Sequence, residues 1–280
     1  MPDISAAAVK TLRDETNVGI MECKRALIDA NGDNTKAIKI LRERGMAVAQ
    51  KRANKATDQG IIASAVLEEG RVGSLIEVNC ETDFVAKNET FKAFVRTLAE
   101  KAARMEGSLA DEANPEVTAK IAEIGENIVV RRNIRYALQE NGLIVSYIHH
   151  GSMIGMLAEM GCQKSETVSN CAFIELAKDI CLHIAASNPH YIDRSAVPPE
   201  IIAAERDICA KQVQDKPPQI IEKIVDGKMN KYYAQACLVD QPFVKDQDKT
   251  IAALLKEKGV ELDDTVALRR FTRFQVGDSV

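Results

Sequence analysis

Cys80, the adjacent His149 and His150, and the run Thr82-Asp83-Phe84-Val85 are the residues of this chain whose types invite chemistry. A cysteine with a distant histidine has the makings of a nucleophilic site, because imidazole can take the thiol proton. Two neighbouring histidines suit a metal or an acid–base element, but only His183 and His190 remain to complete a ligand set, which argues against a metal. Phe84 and Val85 stand in "NCETDFVAKN" among acids, amides and a lysine, in a chain with only 4% aromatic residues. Either Phe84 staples the helix that begins at Asn88, or it is held out for a partner. Asp83 is either a local turn former or a charge aimed at the same partner.

The elements that must position these residues repeat. Residues 60–103 match residues 142–185 at one constant offset, with identities at Gly60/Gly142, Ile62/Ile144, Ser64/Ser146, Gly73/Gly155, Leu75/Leu157, Glu77/Glu159, Cys80/Cys162, Asn88/Asn170, Phe91/Phe173 and Ala103/Ala185. Ordinary composition would give only about three such pairs. Each copy reads as a β-hairpin followed by a helix capped by Asn88 or Asn170, with apolar residues at helical spacing. Two copies share what folding needs, so function is sought where they differ. Thr82-Asp83-Phe84-Val85 faces Lys164-Ser165-Glu166-Thr167, and Tyr147-Ile148-His149-His150-Gly151 faces Ala65-Val66-Leu67-Glu68-Glu69. The counterpart of Cys80 at Cys162 marks a structural thiol, and Glu166 manages without an aromatic ring, which weakens the staple reading.

Upstream, residues 5–45 read as three short helices. Ser5 caps the first, "GIMECKRALIDANG" carries the second to a stop at Gly32, and "NTKAIKILRERG" runs from an Asn34 or Thr35 cap to a stop at Gly45. "QKRANKATDQ" reads as a linker or exposed helix whose Lys51, Arg52 and Lys55 are solvated rather than gripping phosphate. "ENIVVRRNIRYALQENGLIVSYIHH" reads as two strands joined by a tight turn at Asn141-Gly142. After the second copy come two helical runs separated by Pro217-Pro218, and "VALRRFTRFQVGD" reads as a last strand. The expected fold class is α+β: an N-terminal three-helix module over residues 1–55, a duplicated core with mainly antiparallel sheets over 56–140 and over 141–186 with 236–280, and an inserted helical hairpin over 187–235.

Composition narrows the function. The seven cysteines are scattered without a C-x-x-C pair, so disulfides and zinc knuckles are not expected. No apolar run reaches the ~20 residues of a membrane span and the start lacks a signal-peptide pattern, so a cytoplasmic protein is expected. A formal charge of −4 argues against direct nucleic-acid binding as the main role. Neither phosphate-loop fingerprint occurs, so no bound nucleotide and no cofactor is expected of the chain itself. Two other readings stay open on these grounds: a protein-binding adaptor working through residues 1–55, and an RNA-binding stretch from Arg42 to Lys55.

Several motifs together carry a resemblance: "TNVGIMECKRALIDANGD", "EVNCETDFVAKN", "IGENIVVRR", "SYIHHGSMIGML", "HIAASNP" and "QPFV". The sequence resembles the bacterial elongation factor Ts family over nearly its whole length. The resemblance implies a ubiquitin-associated-like (UBA-like) N-terminal module, two related core subdomains and a helical hairpin used in dimerisation. It implies a guanine-nucleotide exchange factor, not an enzyme, that binds elongation factor Tu in its GDP-bound and nucleotide-free forms. The segment Thr82, Asp83, Phe84 and Val85 would press on the partner's nucleotide domain and loosen its Mg²⁺ and phosphate contacts, Phe84 acting as the wedge. A second contact would come from the loop holding His149, Gly151 and Ile154, and a third from Val18, Gly19, Met21 and Cys23. The chain departs from the commonest family pattern at His150 and Met153, and it ends soon after "RFQVGDSV", where many relatives continue into a C-terminal helical module. The contact made by that module is therefore expected to be absent.

Overall fold

The computed structural model of the protein describes residues 4–213 and 217–278. The described chain falls into two units, one of residues 4–63, 76–133 and 276–278, the other of residues 64–75 and 134–275. The division falls within strands β1, β2 and β3 of the first sheet.

Helices α1 (Ala6–Thr16), α2 (Ile20–Asp29) and α3 (Asn34–Arg52) open the chain. Ser5 caps α1 by accepting from the Ala8 N–H, and Asp33 caps α3 by accepting from the Lys36 N–H. Leu12, Cys23, Ala26, Leu27, Ala37 and Leu41 close a small core between the three helices. Gly45 does not end α3 as expected: the helix continues two turns to Arg52. A glycine inside a helix costs about 1 kcal/mol relative to alanine, too little to stop a helix whose neighbours favour it. Its place there is explained by α7 (Asn114–Ile124), whose Ala122 Cβ would stand 2.9 Å from a β-carbon at Gly45.

Strands β1 (Gln59–Leu67), β2 (Val72–Cys80) and β3 (Ile128–Ala137) form the first sheet in the order β1-β2-β3, with β2 buried along its whole length. Between β2 and β3 lie α4 (Asp83–Lys87), α5 (Glu89–Arg104), α6 (Leu109–Glu112) and α7. Phe91, Val95, Leu98 and Ala102 make the buried stripe of α5.

The second sheet is antiparallel, in the order β4 (Gly142–His149), β5 (Ile154–Gly161), β8 (Ala267–Gln275). Helix α8 (Cys171–Ser187) follows β5 and packs Phe173, Leu176, Ile180 and Ile184 into one core with Met156, Met160 and Leu268. The pair α9 (Pro199–Lys211) and α10 (Pro218–Ala236) is joined around Cys209, Val225 and Met229. Short strands β6 (Pro242–Phe243) and β7 (Asp246–Thr250) lead into α11 (Ile251–Glu261), none of which the sequence patterns announce. Buried His183 and Gln241, from two of the motifs above, meet at 2.9 Å, and Gln241 also donates to the Gln235 carbonyl at the end of α10.

The expected hairpin at Asn141-Gly142 is not formed, because β3 and β4 belong to different sheets. Gly142 is there for close approach instead of for a turn: a side chain on it would strike the Met160 carbonyl, and one on Gly60 would strike the equivalent Val78 carbonyl. That identity between the copies is thus a packing requirement. The duplication also extends to β3 and β8, where Arg131, Arg132 and Arg135 correspond to Arg269, Arg270 and Arg273.

Candidate functional site

The first junction is built by caps more than by packing. Thr82 closes β2 and starts α4, its hydroxyl oxygen accepting from the Val85 N–H at 3.4 Å. The same hydroxyl donates to Glu126 Oε1 at 2.8 Å, and the Thr82 backbone N–H donates to Glu126 Oε2 at 3.0 Å. At the other end Asn88 accepts from the Thr90 and Phe91 N–H groups and begins α5. Within the turn only Ala86 is buried. Lys87 pairs with Asp83 at 2.6 Å, and the hydrogen bond it gives is the main reason the Asp83 carboxyl sits below its ordinary range.

Phe84 is 82% exposed, so the staple reading is overturned. The apolar surface that α5 buries is its own Phe91 stripe, and Phe84 is not part of it. Burying a phenylalanine contributes roughly 1.5–3 kcal/mol, and within this chain that gain is not taken. Glu81, beside Thr82, accepts from Arg52 at 2.9 Å and from the Asn127 N–H at 2.6 Å, and the Asn127 side chain donates to the Lys55 carbonyl at 3.0 Å. Arg52 is therefore paired rather than solvated, contrary to the expectation for its charge run, and the stretch after α3 is fastened to the junction.

The second copy has the same clasp with different contents. Asp264 takes the part of Glu126, accepting from the Gln163 and Lys164 N–H groups at 3.0 Å each and from the Thr167 hydroxyl at 2.6 Å. Those bonds, the Thr167 hydroxyl first, hold the Asp264 carboxyl down to about 2. Exposed Glu166 occupies the position of Phe84 in a turn over Ser165–Ser169. The duplicated acids are also paired alike: buried Glu77 accepts from Arg132 at 2.7 Å, and buried Glu159 from Arg270 at 2.7 Å. Cys80 and Cys162 each donate a thiol to the backbone carbonyl two residues on, at 3.2 and 3.3 Å. Burial, with Glu126 as a further cause, pushes the Cys80 thiol up to about 12, so it is a protonated structural group and not a nucleophile.

His149 ends β4, exposed, with its Nδ1 2.9 Å from the Tyr147 hydroxyl and the two rings 5.7 Å apart. Gly151 and Ser152 follow with positive φ of 64° and 66°, and Ile154 begins β5 half-buried against the core of its unit. The matching turn of the first copy is left-handed too, with φ of 52°, 54° and 89° at Glu68, Glu69 and Gly70. The backbone shape is shared between the copies; the tyrosine–histidine pair is what the second adds.

In the N-terminal module Gly19 caps α2 and is exposed, and Met21 is 58% exposed. Cys23 is buried; its thiol donates to the Val18 carbonyl at 3.3 Å, so it supports Val18 from beneath and does not reach the surface. Ile20, 55% exposed between Gly19 and Met21, escaped the sequence reading because its spacing from Cys23 suggests the buried face. Glu126 and Asn127 carry no signal of their role in the sequence, and Arg52 shows there only as part of a charge run, since hydrogen bonds across tens of residues leave no local pattern. Val18 to Cys23 and Thr82 to Val85 belong to one unit, and His149, Gly151 and Ile154 to the other.

The chain has a three-helix module, a duplicated α+β core and an apolar side chain held out on a clamped turn, and among the described residues no group of histidines, cysteines and acids could hold a metal. Comparison with known proteins gives its family. The family model described as "Elongation factor TS" matches residues 81–278. The chain is 42% identical over 290 residues to elongation factor Ts of Clostridium perfringens (strain 13 / Type A), covering 99% of this chain and 94% of that protein. It is 41% identical over 292 residues to elongation factor Ts of Clostridium acetobutylicum, with the same coverage of 99% and 94%, and 38% identical over 277 residues to that of Nitratidesulfovibrio vulgaris (strain DP4), covering 98% and 96%. The chain belongs to the elongation factor Ts family and is a translation elongation factor. Among the described residues no helix is long and apolar enough to cross a membrane.

Proposed function

We propose that this protein is the guanine-nucleotide exchange factor for elongation factor Tu, binding its GDP-bound and nucleotide-free forms and carrying out no chemistry of its own. The observation that carries the reading is the exposed Phe84 on its capped turn, in a chain of this family. Thr82, Asp83, Phe84 and Val85 press on the partner's nucleotide domain and loosen its Mg²⁺ and phosphate contacts. His149, Gly151 and Ile154 make a second contact, and Val18, Gly19 and Met21, supported by Cys23, a third. The α9–α10 pair serves self-association, the N-terminal module is UBA-like, and the protein acts in the cytoplasm without binding nucleic acid.

The physics is linkage. A factor that speeds GDP release binds the nucleotide-free partner more tightly than the GDP-bound one, and GDP weakens the factor in return. If burial of Phe84, roughly 1.5–3 kcal/mol, is realised mainly in the exchange-competent state, it supplies on the order of 10- to 100-fold acceleration at about 1.4 kcal/mol per decade. Stopped-flow release of fluorescent GDP from elongation factor Tu tests the function. Acceleration that rises with added protein and saturates supports it; release at the spontaneous rate under saturating protein refutes it.

A further inference from the structure

Glu126 is half-buried on the connection between α7 and β3, and both of its carboxylate oxygens are spent on one residue, the cap of the turn that carries Phe84. Thr82 has one hydroxyl proton. Because it goes to Glu126, the lone pairs of that oxygen are left facing the Val85 N–H, which is the cap bond of α4. Helix α4 has five residues and buries only Ala86, and a helix this short has almost no stability of its own. What fixes its direction is therefore its caps, and Glu126 fixes the first of them. The adjacent rung is made the same way, Asn127 donating to Glu81 at 2.6 Å.

We infer that Glu126 is a positioning residue of the exchange site, acting through Thr82 to keep Phe84 presented outward. In functional terms the inference rests on the exchange-factor reading. Two observations separate this role from general scaffolding. The second copy keeps the clasp, through Asp264, yet presents Glu166, so the clasp sets the direction of the turn and the residue mounted on it sets the use. In the first copy the mounted residue is an aromatic ring 82% exposed, which leaves water for any apolar surface it can reach unless its turn is held.

The test uses the full-length protein with Glu126→Ala and Glu126→Gln, the second keeping one accepting oxygen. Amide hydrogen exchange of the protein alone is expected to quicken about tenfold at Val85 and Ala86 in Glu126→Ala, with the amides of α5 and α7 unchanged, as loss of a net hydrogen bond predicts. In the GDP-release assay the maximal rate at saturating factor is expected to fall about tenfold, with half-saturation moved less than about threefold and part of the rate restored in Glu126→Gln. Combined with Phe84→Ala, the substitution should cost no more than about a further twofold, because both act on one element. Unchanged protection at Val85 and Ala86, or losses that multiply in the double variant, would overturn the inference. If the wild-type protein fails to release GDP, the exchange reading falls by itself, and the amide protection still decides whether Glu126 positions the turn.

Discussion

Gly45 of α3 meets Ala122 of α7 so closely that a β-carbon on the glycine would lie 2.9 Å from the alanine methyl. At the offset that pairs Arg131 with Arg269, Ala122 of α7 matches Val260 of α11, which is 77% exposed, whereas Ala122 lies against α3. Gly45→Val is expected to lower stability by about 1–3 kcal/mol through overpacking. Urea unfolding followed by circular dichroism measures it, and an unchanged midpoint would show that the crossing has slack.

The buried Glu77–Arg132 pair is expected to be sensitive to truncation on one side. Glu77 is fully buried, while Arg132 is 17% exposed and has Asp278 as a second carboxylate at 3.8 Å, so Glu77→Ala removes the nearer, buried half of the pair and is expected to lower stability by about 1–3 kcal/mol. Glu77→Gln, which keeps an acceptor, should lose less. Equal losses from the two substitutions would mean that packing, not charge, is what the position supplies.

The second clasp makes stability depend on pH in a defined window. The Asp264 carboxyl is held down to about 2 in the folded protein, against an ordinary value of 3.8. A group depressed on folding stabilises the folded state above its unfolded value, and the contribution disappears as pH falls from about 4 to about 2. The melting temperature of the wild-type protein should therefore drop more steeply across that window than that of Asp264→Asn. Parallel curves would assign the acid sensitivity to other carboxylates.

Thiol labelling should separate the cysteines. Cys171 is exposed, whereas Cys80 is buried with its thiol pushed up to about 12. An alkylating reagent at neutral pH is expected to modify Cys171 in the native protein and Cys80 only on unfolding. Native labelling of Cys80 at a comparable rate would mean that the first junction opens readily.

Much of this was legible in the sequence, for reasons particular residues make plain. Ser5, Asn88 and Asn170 cap the helices they announce, because capping is a local bond between a side chain and an amide two or three residues on. The hairpin-and-helix repeat was visible because nothing is inserted within it. The continuation of that repeat into β3 and β8 was hidden because the α9–α10 pair lies between α8 and β8 in one copy only. Gly45 and Gly142 look like a stop and a turn in sequence because glycine also permits close approach, and what approaches, Ala122 or the Met160 carbonyl, is distant in sequence. At the site, Phe84 was singled out by its neighbours, while its exposure and its hold through Glu126 required the folded chain.

In the exchange-factor proposal the aromatic ring on the first junction, and not the junction as such, drives GDP release. The most direct measurement compares the maximal rate of fluorescent GDP release from elongation factor Tu with wild-type protein, with Phe84→Ala, and with Glu166→Ala at the matched position of the second copy. Phe84→Ala is expected to lose on the order of 10- to 100-fold and Glu166→Ala to keep the wild-type rate. A wild-type rate with Phe84→Ala, or equal losses from the two substitutions, would contradict the proposal.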